Sequence, residues 1–214
     1  MPARKTYSQN CPIALGLDVL GERWTLLILR ELVGGPRRYS DLRGQLPGIA
    51  TNLLADRLRD LEEAGIIERS ELPPPVARTV YSLSEAGWTK VLPVLRAIAS
   101  FGLDLLEPTE SAFTPVNAFL AGVLMGFNAD RAAGLTPSYR VDVDGRRFDF
   151  GVGDAGLTAA REPPAVIVTA TAADVITSRL GATAGQRKAA LRRITFDGDE
   201  EAVELMQDLF SWSA

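Results

Sequence analysis

Apolar positions recur at helical spacing in short blocks through the first half of the chain and alternate with polar positions through much of the second. Between residues 51 and 65, Leu54, Leu58 and Leu61 share one helical face, while Asn52, Asp56, Arg59 and Glu63 form a polar stripe opposite. Residues 39–46 carry the same periodicity, and the breaker Pro47-Gly48 separates the two segments. Upstream, Ile13, Leu17 and Leu20 predict a helix with Pro12 in its first turn and Gly21 at its end. Trp24, Leu27, Ile28 and Leu32 predict another, stopped by Gly34-Gly35-Pro36. These two read as scaffold. After Gly65, residues 66–69 begin an extended run that resumes at residues 79–83 beyond a proline-rich loop at 72–78. Helix, tight turn, helix and loop-tipped hairpin in succession predict a helix-turn-helix with a wing. Ser84 and Gly87 open a long apolar segment over residues 85–106, which Pro93 should kink or divide.

In the second half, residues 108–115 read as a linker and residues 116–127 as a helix bearing Phe119, Leu120, Val123, Leu124 and Phe127. Residues 139–143 and 147–152 alternate as strands about Asp144-Gly145, a hairpin signal because both turn positions must tolerate positive φ. Residues 157–160 and 165–170 supply two more strands and residues 194–196 a short fifth. Thr171 with Asp174, and Thr183 with Gln186, resemble capping boxes; Asp199 is the expected cap of a last helix. The expected fold class is α+β: a winged helix-turn-helix over residues 1–107, then, over residues 116–214, a domain with an antiparallel sheet.

The residues of the first half resemble a known family. Cys11-Pro12, Gly21-Glu22-Arg23-Trp24-Thr25-Leu26-Leu27-Ile28-Leu29-Arg30-Glu31-Leu32, Gly35-Pro36-Arg37-Arg38-Tyr39-Ser40-Asp41-Leu42, Leu46-Pro47-Gly48-Ile49 and Arg57-Leu58-Arg59-Asp60-Leu61-Glu62 look like the HxlR branch of the MarR-like winged-helix regulators, in register from about residue 7 to residue 106. The resemblance implies a homodimer, formed through the segment at 85–106, that reads a pseudo-palindrome in double-stranded DNA; burial against the second domain is the other reading of that segment's apolar face. Thr51, Asn52, Ala55 and Asp56, in the first half of the recognition helix, are the candidates for base edges, with Arg59 on the same stripe. Arg37, Arg38 and Ser40 precede or open the first helix of the motif, where phosphates are met, and Arg78 lies beyond the wing loop. Arg57 is lateral, suited to phosphate or to a neighbouring acid. Some family members sense oxidants through a cysteine at the position of Cys11; a small buried hydrophobe is the other reading of that residue.

Over residues 112–210, the element order and the Phe196-Asp197-Gly198-Asp199 step resemble a sterol-carrier-protein-like domain, which implies an apolar cavity for a hydrophobic effector. Phe127, Tyr139, Val141, Phe148, Phe150, Val168, Ile176 and Phe196 are the candidate lining, with plain core packing as the alternative for each. A lipid carrier or small-molecule enzyme with an assembly-only first half is the rival reading. Gly151-Val-Gly153-Asp-Ala-Gly156 matches the dinucleotide fingerprint, but a strand rather than a phosphate-binding helix is expected after it. Fragments of calcium loops at Asp142-Val-Asp144 and Asp197-Gly-Asp199 are better explained as a turn and a cap.

Composition narrows the chemistry. One cysteine and no histidine remove internal disulfides, Ser-His-Asp or Cys-His catalysis and His-ligated metals, so neither enzyme activity nor a cofactor is expected. Residues 1–107 carry 13 Lys+Arg and 13 Asp+Glu, residues 108–214 carry 10 and 14, and the net charge of −4 leaves room only for a local basic patch. No long apolar run or signal-type leader is present, which predicts a cytoplasmic protein with no membrane partner.

Overall fold

The computed structural model describes residues 6–72, 78–102, 105, 126–128, 130–153, 156–161, 163–180 and 183–212. The expected linker at 108–115, the tip of the wing loop, and the helix expected at 116–127, apart from its last two residues, lie outside that set. The chain divides into two compact units, residues 1–87 and 88–214.

The first unit contains α1 (Pro12–Leu20), α2 (Thr25–Val33), α3 (Tyr39–Gln45) and α4 (Thr51–Glu63), then strands β1 (Ile67–Glu71) and β2 (Thr79–Leu83). Ile28, Leu29 and Leu32 of α2, Leu42 and Leu46 at α3, and Leu54, Leu58 and Leu61 of α4 are buried together with Ile67, Val80 and Leu83 of the hairpin. Each such leucine contributes about 1.5–3 kcal/mol by leaving water. The α4 helix ends in a Schellman motif: Ile66 N–H donates to the Leu61 carbonyl at 3.0 Å and Gly65 N–H to that of Glu62 at 3.0 Å. Gly65 takes φ 68°, open to a residue without Cβ. The hairpin pairs Ile67 with Leu83 through Glu71 with Thr79, and Arg37 adds an antiparallel bridge to Tyr81. The α1 helix departs from a simple scaffold role, because Ile13 and Leu17 face solvent and Ala14 is its buried residue.

Ser84 joins the wing to α5 (Glu85–Gly102). Its hydroxyl donates to the Gly65 carbonyl at 2.7 Å and accepts from Gly87 N–H at 2.9 Å. A Cβ at Gly87 would stand 2.1 Å from the Ile66 carbonyl oxygen, so this helix start approaches the α4–β1 turn as only glycine permits. The α5 helix runs unbroken through Pro93; the proline costs a donor without dividing the helix.

The second unit has strands β3 (Ser138–Val143), β4 (Arg146–Gly153), β5 (Gly156–Ala159), β6 (Val166–Ala170) and β7 (Thr195–Gly198), with α6 (Ala172–Leu180), α7 (Ala184–Leu191) and α8 (Glu200–Leu209). Asp144 and Gly145 both take positive φ, 50° and 76°, making the expected hairpin turn. The sheet order is β5-β4-β3-β6-β7, and β3 pairs with β6 in parallel. The sheet is therefore mixed, not antiparallel as expected. Reading successive strands as neighbours misses the crossover after β5, where Pro163-Pro164 cannot donate to a ladder and Ser138 holds the chain. The Ser138 hydroxyl accepts from Arg161 N–H at 3.2 Å, and its carbonyl accepts from Ala165 N–H at 2.8 Å.

One face of the sheet is apolar and buried: Tyr139, Val141 and Val143 beside Phe148, Phe150 and Val152, and beside Val166, Val168 and Ala170. The other carries cross-strand ion pairs, Arg140–Asp149 at 2.7 Å and Arg147–Asp142 at 3.7 Å. The Thr171 hydroxyl accepts from Asp174 N–H at the start of α6, and the Thr183–Gln186 capping box is complete at the start of α7. Asp199 occupies the cap position of α8, but its side chain makes no capping hydrogen bond. The glycine triplet falls on strands: Gly151 and Gly153 on β4, Gly156 opening β5, with no helix after it to receive a phosphate.

Candidate functional site

The exposed face of α4 carries Thr51, Asn52, Ala55, Asp56 and Arg59. Burial of Leu54, Leu58 and Leu61 on the opposite face decides which residues point outward. Asp56 and Arg59 are ion-paired with each other in solvent. The turn before α4 is closed by Gly48 at φ 92°, and the Tyr39 hydroxyl donates to the Thr51 carbonyl at 2.6 Å. Tyr39 was legible in the sequence only as the start of α3, yet it fixes the first residue of α4.

The candidate phosphate contacts divide. Arg38 begins α3 with its N–H donating to Asp41 Oδ2 at 3.2 Å, and Ser40 is exposed on that helix. Arg78 is exposed at the base of the wing loop, where its carbonyl accepts from Leu72 N–H at 2.8 Å. Arg37 is half-buried; its backbone is bridged to Tyr81 and its guanidinium donates to the Gly34 carbonyl at 3.0 Å. Arg57 is drawn away from the exposed stripe: its guanidinium meets Glu22 Oε2 at 2.9 Å and Asp60 Oδ2 at 2.8 Å. Two exposed arginines enter that the sequence reading passed over, Arg43 on α3 and Arg69 on β1 opposite Tyr81. Strand alternation alone would have put Arg69 on the same wing as Arg78.

Cys11 stands at the N-cap of α1 and is partly exposed, not a buried hydrophobe. The backbone N–H groups of Ala14 and Ile13 hold its thiol below the ordinary range, against a smaller opposing effect of burial.

The second unit contains a cleft of about 400 Å³, in the range of small-molecule sites. Its walls include Trp88, Leu92, Pro93 and Ala97 of α5, Phe127, and Leu157 of β5, with Arg96 and Ser100 as polar neighbours. Of the eight candidate lining residues, Phe127 alone lines this cleft. Tyr139, Val141, Phe148, Phe150 and Val168 are buried on the sheet's inner face, and Ile176 and Phe196 are half-buried. Phe210 gathers the aromatic rings, at 5.3 Å from Phe127, 5.6 Å from Phe150 and 6.0 Å from Tyr139 between centroids. The alternation that puts these residues on one face is common to a cavity wall and a packed core. Only the side chain that packs against them, Phe210 at the end of α8, separates the two.

Among the described residues no group of His, Cys, Asp and Glu is arranged to hold a metal, and no helix is long and apolar enough to cross a membrane.

Comparison with known proteins bears on the first half. The family model of the HxlR-like helix-turn-helix matches residues 19–110. An uncharacterised HTH-type transcriptional regulator of Synechocystis sp. is 44% identical over 97 residues, covering 45% of this chain and 71% of that protein. The HTH-type transcriptional regulator YodB of Bacillus subtilis is 32% identical over 102 residues, covering 47% of this chain and 90% of its own. The solved reduced form of YodB aligns over 48% of this chain and all of that one, at 32% identity and a TM-score of 0.41.

Proposed function

This chain belongs to the HxlR-like helix-turn-helix family, a DNA-binding transcriptional regulator of the HxlR/MarR type, and on that premise we propose how it reads DNA and what its second unit adds. The recognition element is α4, entering the major groove with Thr51, Asn52, Ala55, Asp56 and Arg59 outward. The observation that carries this is the exposed polar stripe of α4, held by three buried leucines behind it and by Tyr39 at its first turn. Asn52 is suited to a bidentate contact with adenine. Arg59 gives up a solvated pair with Asp56, worth about 0–1 kcal/mol, for guanine or phosphate, an exchange that favours DNA. Arg38, Arg43, Arg69 and Arg78 supply phosphate contacts from α3 and the wing.

The working form is a homodimer. Ile13 at 73% and Leu17 at 44% exposure on α1, and Ile98 at 51% and Phe101 at 76% on α5, are apolar side chains that a second copy would cover. Two α4 helices about 34–36 Å apart then read a pseudo-palindrome. In Asn52→Ala with Arg59→Ala, affinity for a duplex selected from a randomised pool falls at least about tenfold while sedimentation still gives the parental dimer. Parental affinity in that variant would overturn the assignment of α4.

The second unit, which resembles a sterol-carrier-like domain, takes a hydrophobic effector in the cleft between Trp88, Leu92, Phe127 and Leu157. Such a ligand alters DNA affinity only by binding two states of the dimer unequally, and α5 belongs both to the cleft wall and to the chain leaving the wing. Native mass spectrometry of the gently purified chain should show a bound apolar molecule that Ala97→Trp, which fills the cleft, no longer carries. An identical mass profile for the two would remove the effector role.

A second reading places sensing at Cys11, supported by its partly exposed thiol at the start of α1 with a lowered pKa. It predicts that Cys11→Ser binds DNA normally and ignores oxidants, whereas an oxidant response that persists in Cys11→Ser rules it out.

A further inference from the structure

Arg57 lies laterally on the recognition helix, where its guanidinium suits either a phosphate or a neighbouring acid, and its surroundings favour the acid. Its side chain is 16% exposed. One terminal nitrogen meets Asp60 on the same helix at 2.8 Å; the other reaches 35 residues back to Glu22 Oε2 at 2.9 Å. The Nε is buried with no hydrogen-bond partner, so turning the fork outward to DNA would forfeit two charged bonds from a side chain already largely desolvated.

Glu22 sits in the turn between α1 and α2, and that turn is itself held in an unusual state. Trp24, two residues on, takes φ 79°, a left-handed conformation that crowds the Cβ of a bulky residue against its own backbone. Its indole lies 3.8 Å from where a Cβ on Gly48 would stand, against the turn that enters α4. Thus the turn at residues 21–24 grips α4 twice, at its entry through Trp24 and along its flank through Glu22. Strain at Trp24 and the orphaned Nε of Arg57 are both retained in one arrangement, that of a clamp.

We propose that Arg57 and Glu22 are positioning residues for DNA reading: they set the rotation of α4 relative to α2, and neither touches DNA. The proposal rests on α4 being the recognition helix, which the Asn52 and Arg59 substitutions test separately. The experiment that tests it measures affinity of the full chain for its selected duplex and for a scrambled one, across a salt series, in Glu22→Gln, Arg57→Gln, the double variant carrying both, Arg57→Lys and the swap Glu22→Arg with Arg57→Glu. Glu22→Gln and Arg57→Gln should each weaken the selected duplex by about tenfold, leave the scrambled one unchanged and keep the salt slope, with the double variant no worse than either single one. Lysine is a compact point charge that serves a phosphate but lacks the planar fork whose separate nitrogens meet Asp60 and Glu22, so Arg57→Lys should fall nearly as far as Arg57→Gln. The swap should recover part of the loss, since it restores the pair across the turn but sets a carboxylate at position 57 beside Asp60.

The opposite pattern overturns the proposal. A phosphate contact would give retention in Arg57→Lys, equal loss on both duplexes in Arg57→Gln with a salt slope lower by about 0.9, and no effect of Glu22→Gln. Equal loss on both duplexes in every variant, tracking a lower folded fraction by circular dichroism, would reduce the pair to a stability role and likewise overturn it.

Discussion

The hydroxyl of Tyr39 donates to the carbonyl of Thr51 at 2.6 Å, tying the first helix of the motif to the first residue of the second across the Pro47-Gly48 turn. Tyr39→Phe keeps the ring and deletes the bond. A net hydrogen bond is worth about 0.5–1.5 kcal/mol, and this one is exposed, so the lower end is expected in urea midpoints. DNA affinity should drop further than stability implies, by about threefold or more, because the bond orients the residues of α4 proposed to face the groove. Unchanged affinity would mean that the turn is fixed by Gly48 and the leucines alone.

Gly87→Ala puts a methyl group 2.1 Å from the Ile66 carbonyl oxygen, a backbone atom that cannot step aside. The helix start must move, and Ser84 must release either Gly87 N–H or the Gly65 carbonyl. A cost of about 2–3 kcal/mol is expected from overpacking with a lost cap, read as a lower thermal midpoint of the first unit. Gly44→Ala, where a Cβ meets nothing within 4 Å, is the control and should match or exceed the parent.

Tyr139 is 1% exposed, and its hydroxyl finds no hydrogen-bond partner. Burial pushes its pKa from 10.0 to about 12. The folded state therefore keeps a proton that the unfolded chain sheds first. Its stabilising contribution is complete below about pH 10 and disappears as pH rises through about 12, a decline of about 2–3 kcal/mol. In Tyr139→Phe this part of the alkaline decline should vanish. At neutral pH the same variant should equal the parent or gain about 1 kcal/mol, since an unpaired polar group leaves the core.

Asp174 is held below the ordinary carboxylate range, first by the hydrogen bond from Arg193 and then by that from Thr171. A depressed acid stabilises the fold at pH above its unfolded value and ceases to as pH falls through the folded one. Asp174→Asn should accordingly lower the midpoint of the second unit at neutral pH and narrow its gap to the parent near pH 3, as followed by denaturant titration at both values.

The two halves were legible to different depths. The helices and wing of the first unit announce themselves because one face of each must be apolar and because Gly21, Gly34, Gly48 and Gly65 punctuate them. What pattern could not reveal were contacts made by side-chain reach: Arg57 to Glu22, and Tyr39 to Thr51. Periodicity places a residue on a face but is silent about which neighbour a long side chain finds. The exposure of Ile13 and Leu17 escaped for a related reason, since an apolar stripe looks alike whether it meets the same chain or something outside it. In the second unit, strand positions and the Asp144-Gly145 turn were readable, but strand order was not. The pairing of β6 with β3 depends on a crossover whose ends are far apart in sequence.

That crossover has a consequence for how the polypeptide is made. The β3–β4 hairpin needs only local contacts and can close in microseconds, whereas β6 must be synthesised and delivered before the free edge of β3 is sealed. As the chain emerges from the ribosome, the first unit is already complete while a strand bearing Tyr139, Val141 and Val143 waits with unpaired amides. The window for misassembly thus lies in the second unit, and its duration is set by translation through residues 144–170.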